Sequence, residues 1–271
     1  MSKKLKQNKS RIFRELNAIV TIMARDITLL IKSPATLIIS LAFPIIMMGM
    51  IGGNMMQNMA GGLNFEFGEF MMIGMIVNML FMMTSMNMTS LVDDHEVDFT
   101  QEMLVAPISR YSIIIGKIFG SMFGSILSII GTLIVGLFMG ISLTLGQLLL
   151  VLALSPLMCL AGGAISVILI GLIKSKKTAN QAVMLITMPQ IFLSGAIIPI
   201  GNSTGILWLL SRIMPMTYCL DLVRSFIYRG SAEYGDIVLF NPFVNFIAII
   251  VITVVCLVIG TYFFARSEKN R

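Results

Sequence analysis

Six long apolar runs decide what this chain can become. They cover roughly residues 35–53, 68–91, 111–140, 147–173, 180–200 and 243–265, and a helix needs ~20 such residues to cross the hydrocarbon of a bilayer. Without water, backbone N–H and C=O groups must bond within the segment, so runs of this length are read as helices. Composition agrees: 57% of the 271 residues are hydrophobic and 12% charged, against ~25% charged in a soluble domain. The expected fold class is an all-α integral membrane protein with six transmembrane helices.

Charge in the connectors sets the orientation. Sixteen of the nineteen Lys and Arg residues lie in the segment to Lys32, the 92–117 region, the 174–177 loop and the C-terminal tail. Only Arg212, Arg224 and Arg229 fall on the other side. Positive residues stay in the cytoplasm, so both termini are cytoplasmic and the number of spans is even. The basic balance therefore reports topology rather than nucleic-acid binding, for which there is no basic patch interleaved with aromatics.

Between Arg11 and Lys32, residues Ile12, Leu16, Ile19, Met23, Ile27 and Leu30 recur at steps of three and four. That spacing predicts an amphipathic helix at the membrane surface. Arg25 and Asp26 interrupt any leader-like apolar core. The division is then a tail and interfacial helix over 1–33 and one transmembrane domain over 34–271.

In the second run Met72, Met75, Met79, Met82 and Met86 repeat at helical spacing. Thioethers can bind copper(I), but neither cysteine nor histidine shares the run. Adaptable packing of the core is the favoured reading, with a yielding wall for varied apolar substrates as the alternative. Asn78, Ser85 and Thr89 share a face and are expected to bond a neighbouring helix. Gly116, Gly120 and Gly124 on the third run allow close helix packing within the subunit, and Lys117 is expected to snorkel to water or phosphate head groups. Ser155-Pro156 can kink the fourth run if neighbours satisfy the freed backbone.

Residues 201–242 are too interrupted to span. Two short interfacial or re-entrant external helices fit better, with Trp208 and Tyr218 at head-group level and Asp221 and Arg224, three apart, able to pair on a helix in a structural role rather than as substrate contacts.

Several chemistries have no support. No Gly-x-x-x-x-Gly-Lys-Ser/Thr loop occurs, so this chain is not expected to cradle ATP phosphates. One histidine and a crowd of carboxylates make no metal-ligand spacing, and Cys159, Cys219 and Cys256 form no framework. Neither a nucleophile elbow nor a zinc-peptidase motif is present.

Five of the thirteen carboxylates and the single histidine gather between Val92 and Lys117. Such an island sits in water, as a loop with a short amphipathic helix from about Phe99 to Val105 that stops before Pro107. Its order of acids, an aromatic, Glu102-Met103-Leu104-Val105, Ala-Pro, Ser-Arg and then Gly116-Lys117 resembles the permease subunits of ABC type-2 exporters, especially the daunorubicin-resistance-like branch. Asp98 stands where glycine is usual and Thr100 where leucine is usual. The order Pro215-x-Thr217-Tyr218-x-x-Asp221-x-x-Arg224 is similar to the external segment of the same family.

That resemblance implies a cytoplasmic coupling helix docked on a separate ABC ATP-binding subunit, with Glu96, Phe99, Glu102, Leu104, Val105, Pro107 and Arg110 as coupling residues. It implies an external cap at Tyr218, Asp221 and Arg224, ATP and Mg on the partner with no cofactor here, and a permease homodimer in the plasma membrane, among lipid. The function implied is ATP-driven export of a hydrophobic or amphipathic, drug-like substrate, with lipid or lipid-linked polysaccharide as the alternative. A membrane-embedded enzyme or assembly factor without an ATPase is the contrasting class, although it would have little reason to present a Met103-Leu104-Val105 edge to water.

Overall fold

Proline and hydroxyl residues punctuate the chain where the helices begin, bend and end. A computed structural model describes residues 2–59, 65–92, 109–173, 175–201 and 203–269. In order, the helices are α1 (Ser2–Ile31), α2 (Pro34–Met47), a π-helical turn (Met48–Gly52), α3 (Gly53–Met59), α4 (Phe67–Asn87), α5 (Arg110–Phe138), α6 (Leu145–Leu172), α7 (Lys176–Leu193), α8 (Gly205–Ile213), α9 (Pro215–Ile227), α10 (Tyr234–Ile237) and α11 (Pro242–Lys269). Pro34 and Pro215 open α2 and α9 in the first turn, where a missing N–H costs nothing. Ser109 caps α5 by accepting from the Ser112 N–H at 3.1 Å. Thr144 and Gln147 form a reciprocal capping box on α6, which satisfies donors that the first turn leaves free.

Five stretches are long and apolar enough to cross a bilayer: Pro34–Met55, Phe67–Val92, Tyr111–Phe138, Leu145–Leu172 and Tyr234–Phe264. The run expected as the fifth span lies largely in α7, which is not among them, because Lys176, Lys177, Asn180, Gln181 and Gln190 dilute its apolar residues. Helices α8 and α9 meet at a bend of 82°, as the interrupted composition of this region predicts.

Helix α4 is the hub. Of the Phe67–Val92 stretch, 89% is buried inside the protein, and α4 touches α2, α5, α6, α7 and α9. Met72, Met75 and Met79 are fully enclosed, so the methionine run fills the core rather than lining an open wall. Its polar residues bond outward as expected: Asn78 Nδ2 donates to Met216 Sδ at 3.4 Å, Ser85 Oγ to the Gly162 carbonyl at 2.9 Å, and Thr89 Oγ1 to Asn180 Oδ1.

Glycines set the helix directions. On α5, Gly116 meets Ile19 and Ile22, Gly120 meets Asp26, Gly124 meets Leu30 and Gly131 meets Leu41 and Pro44. Positions rise together, so α1 and α2 run parallel to α5. The second half of α1 is thus packed lengthwise on α5 through small residues, which is more than a helix resting on a membrane surface does. Gly171 lies against Phe263 and Phe264, and Gly260 against Val167 and Ile168, so α6 and α11 are also parallel. Helices α4 and α5 are antiparallel, with Thr84 at Ser125 and Met72 at Gly136.

Pro156 illustrates how a broken ladder is repaired. Proline cannot donate to the carbonyl four residues back, which leaves Leu152 without its partner. The hydroxyl of Ser155 donates to that carbonyl at 2.8 Å, and α6 continues. Helix α5 closes differently: Gly140 takes φ +76°, and Ile141 N–H reaches back to the Gly136 carbonyl at 2.8 Å, the six-to-one bond of a glycine C-cap.

The hub's tightest approach is Gly74, where a Cβ would collide with the Ala196 carbonyl, whereas Gly146 has open space around it. Gly74→Val is expected to destabilise the protein by about 1–3 kcal/mol, the usual cost of overpacking. Gly146→Ala should leave it unchanged, and thermal unfolding in detergent reads both.

Candidate functional site

Charged side chains that leave water must find partners, or they cost several kcal/mol each. In this fold they collect at the two ends of the bundle, and both ends touch α4.

At the end where α4 turns toward α5, Lys117 Nζ lies 3.4 Å from Asp26 Oδ1, and the same oxygen is 3.6 Å from Arg25 Nη1. The Lys117 side chain is only 2% exposed. The expected snorkelling to water is therefore corrected: α1 brings a carboxylate to the lysine, and Gly116 and Gly120 allow the close approach. About two turns before Gly116, the Ser109 N–H donates to Glu15 Oε2 at 2.9 Å. Glu15, Ile19, Ile22, Asp26 and Leu30 thus clamp α1 to the first half of α5. Beside this clamp lies a cavity of about 390 Å³. Lys176 at the start of α7 and Asn87 and Ser90 at the end of α4 are among its walls, so the α1–α2, α4–α5 and α6–α7 junctions share one end of the bundle.

At the opposite end the bend between α8 and α9 is stitched by side chains. Pro215 has no N–H to give the Ser211 carbonyl, and the Thr217 hydroxyl takes its place at 2.5 Å. Tyr218 Oη donates to the Arg212 carbonyl at 2.7 Å and its ring stacks on Phe240 at 5.5 Å. The Arg212 guanidinium sits over Trp208, 4.4 Å from the ring centre, a cation–π contact.

Asp221 and Arg224 are buried, at 3% and 4% exposure, and the expected pairing between them is replaced by other contacts. Each has other partners. Asp221 accepts from Leu239 N at 2.7 Å, Phe240 N at 2.9 Å and Asn245 Nδ2 at 2.8 Å, tying α9 to the start of α11. Arg224 donates through Nη1 to the Gly195 carbonyl at 2.9 Å and through Nη2 to the Phe70 carbonyl at 3.0 Å. Its guanidinium also lies over the Phe70 ring, 3.4 Å from the centre. One helical turn of α9 therefore holds α11 with one residue and α4 and α7 with another. Gly195, at φ +83°, takes the left-handed conformation as α7 ends, and its carbonyl meets the guanidinium.

Of the expected coupling residues, Glu96, Phe99, Glu102, Leu104, Val105 and Pro107 lie outside the described residues, and so does the side chain of Arg110, which begins α5. The described flanks are Val92, buried at the end of α4, and Ser109. Sequence reasoning missed the Asp26–Lys117 pair. The available signal was a carboxylate among Ile19, Ile22 and Leu30 on one face of α1 and a lysine on the apolar α5, with glycines beside the lysine. Among the described residues no group of three His, Cys, Asp or Glu side chains is arranged to hold a metal.

A family model described as ABC-2 type transporter matches residues 17–228, from the second turn of the α1 clamp through Arg224 to the end of α9. No curated protein matches the sequence.

The Asp221 and Arg224 contacts carry stability that substitution should remove. Replacing Asp221 with alanine orphans two backbone N–H groups and an amide, at about 1–3 kcal/mol for each buried group. Arg224→Lys keeps the charge but not a planar fork able to reach two carbonyls. Both variants should unfold at clearly lower temperature than wild type, whereas Arg229→Lys, on the exposed turn after α9, should match it.

Proposed function

We propose, for a chain that belongs to the ABC-2 type transporter family and is the multi-pass permease subunit of an ABC-type transporter, that it exports hydrophobic or amphipathic drug-like molecules from the cell. It works as a homodimer in the plasma membrane with both termini in the cytoplasm. Permease domains of this family generally pair with an ABC ATP-binding subunit, and to that partner we assign ATP and Mg. The observation that carries the reading is the family match from α1 to the end of α9, over a fold in which one buried helix joins the charged loop to the external bend.

Six crossings are part of the proposal. Helix α7 meets the Phe67–Val92 stretch at Thr89, just past α4, through Asn180, and the chain just beyond α7 meets α4 at Gly74 through Ala196. Those two α4 positions are about 22 Å apart along the axis, so the chain travels most of a bilayer's depth beside the hub. The parallel packing of α6 and α11 points the same way, because the chain between them must return across the membrane. The proposed spans are thus α2 with its π-turn, α4, α5, α6, α7 and α11, with α8 and α9 as the external re-entrant pair.

The anchoring of the loop sets the mechanism. Residues 93–108 join α4 to α5, and α5 carries α1 with it through the Glu15, Asp26 and glycine contacts. A partner that presses on Glu96, Phe99, Glu102, Leu104, Val105, Pro107 and Arg110 as its subunits close on ATP would move α4 and the α1–α5 pair as rigid bodies. At the far end of α4, about 30 Å away, Phe70 is bonded to Arg224. Movement of α4 therefore reaches the cap at Tyr218, Asp221 and Arg224 without an intermediate flexible element. The substrate assignment is supported by the apolar outer faces of α2, the π-helical turn after it and α7, where Ile38, Ile39, Met50, Leu185 and Met188 are exposed. Lipid or lipid-linked polysaccharide is the second substrate class for the same subunit.

Capture of the tagged chain in mild detergent, wild type beside Glu102→Arg, tests the function. The wild type should bring down an ATP-hydrolysing subunit, and the variant should lose it or lose stimulation of its activity. If no ATPase accompanies the wild type in several detergents, the reading fails in favour of a membrane-embedded enzyme or assembly factor. Topology is tested separately with single cysteines at Ser175 and Ser203 in a cysteine-free background. An impermeant maleimide added to intact cells should label position 203 and spare position 175, and equal labelling of both would remove the α7 crossing.

A further inference from the structure

The end of α4 opposite the charged loop carries acids that neither the tether at Arg224 nor the contacts of Asp221 employ. Glu66 and Glu69 stand at the start of α4. Glu233 joins them after Gly230, at φ +86°, has turned the chain back from α9. The charges of Glu233 and Glu66 both repel that of Glu69. Glu69 Oε1 accepts from Gln147 Nε2 at 2.6 Å, and the amide is oriented for this because its oxygen takes the Thr144 N–H at 2.7 Å. A neutral amide leaves the charge uncompensated. None of the three carboxylates forms an ion pair among the described residues. The segments adjoining this end that lie outside the described residues, 60–64 and 202, hold no charged side chain. Of the cations here, Arg212 lies over Trp208, Arg224 gives its fork to two carbonyls, and Arg229 is exposed.

An independent feature points into the same place. Tyr228 is 4% exposed, and its hydroxyl has no hydrogen-bond partner among the described residues, whereas nearly all buried polar groups have one. The charges acting on that hydroxyl are those of Glu69, Arg224, Glu233 and Glu66, three negative against one positive. The carboxylates themselves are open to an incoming group, Glu66 being exposed and Glu69 and Glu233 half-buried. Phe65, next to Glu66 and half-buried, sets its ring 5.0 Å from that of Phe70. Carboxylates that only accept, a hydroxyl able to accept with them and a neighbouring aromatic face suit a protonated amine.

We propose that Glu66, Glu69, Glu233 and the Tyr228 hydroxyl bind the ammonium group of an amphiphilic amine, with its apolar part against Phe65. A primary ammonium has three N–H donors to distribute among these oxygens, and bonds from a cation to carboxylates are the strong ones. The three acids are not arranged to hold a metal ion. An ammonium bonds oxygen at about 2.8 Å, longer than the roughly 2.3–2.6 Å of calcium, and accepts their wider spacing. With the orientation proposed above, the site faces outward beside the cap of α8 and α9. That its occupant is cargo leaving the pathway rests on the exporter reading; the binding chemistry does not.

Titration calorimetry on the purified permease alone, in a neutral maltoside detergent, tests this with 2-phenylethylammonium and its uncharged counterpart 2-phenylethanol. The amine should bind, more weakly as salt is raised, and the alcohol should not. Glu233→Gln should weaken the amine roughly tenfold or more, as loss of a charge-assisted contact does, and Glu69→Gln should do the same. Tyr228→Phe removes a hydroxyl that bonds nothing, so the unfolding temperature of the free protein should hold while amine affinity falls about threefold to tenfold. Asp236→Asn, in α10 at the same end, should retain full binding. Nanodiscs separate two sources of the ammonium. Binding suppressed in phosphatidylethanolamine but kept in a neutral glycolipid assigns it to a membrane lipid, and binding kept in both assigns it to a soluble amine. Equal binding of amine and alcohol, unchanged affinity in both Glu233→Gln and Glu69→Gln, or an equal loss in Asp236→Asn would overturn the proposal. No ATPase enters the assay, so failure here leaves the exporter reading untouched, and failure of ATPase capture leaves this binding result standing.

Discussion

Arg224 must give its protons to protein oxygen, because it is 4% exposed and a buried guanidinium without acceptors is among the most expensive groups a fold can carry. The oxygens it receives are the carbonyls of Gly195 and Phe70, and supplying both fixes where α7 ends and where α4 begins. Asp221, one turn earlier, imposes the same demand in the opposite sense and is met by two N–H groups before α11 and by Asn245. The two charges therefore have different partners, and that separation lets α9 hold three helices. Had they paired with each other, the turn of α9 would have been self-sufficient and the neighbouring helices free to slide.

The same demand for internal partners explains the places where regular helix fails. Pro156 and Pro215 each deprive a carbonyl of its donor, and in both cases a nearby hydroxyl, Ser155 or Thr217, supplies the proton. The length of the surrounding apolar run decides between a repair and a bend. After Ser155 the run continues and α6 crosses with only a local repair. Before Pro215 the run is short, Tyr218 takes the next carbonyl as well, and the chain turns by 82°.

Much of this is readable from the sequence. Long apolar runs declare helices, and four of the six stand as expected. The first also holds but carries a π-helical turn after Pro44 that hydropathy does not register. Bonds from Asn78, Ser85 and Thr89 follow from helical spacing. The glycine series on α5 declares close packing but not the partner, since a missing Cβ says only that something approaches. That the partner is α1 depends on tertiary contact between segments some ninety residues apart. For the same reason, sequence sends Lys117 to water when its carboxylate lies on another helix. Asp221 and Arg224 show the limit of local spacing: three residues apart allows a pair, yet burial and the backbone groups of α4, α7 and α11 decide otherwise. At α7 hydropathy and contacts give different answers at two polar residues: Asn180 bonds Thr89, and Gln190 accepts from Met216 N–H, so these two lower the apolar average while facing protein, whereas Lys176, Lys177 and Gln181 are exposed.

The clamp at α1 raises a question that stability alone does not answer. A buried ion pair is often no better than two well-packed apolar side chains, and glycines weaken a helix. Yet the contact between α1 and α5 is built from both. Close backbone approach with a charged latch makes the two helices one body, while the hub they pack against is rich in methionine. Methionine has three rotatable bonds and repacks readily, so an interface rich in it can accept a small axial slide that branched side chains would resist. A stiff α1–α5 pair bearing on a yielding α4 is the combination that shear motion between packed helices uses, and the charged segment of residues 93–108 connects those two parts in the chain.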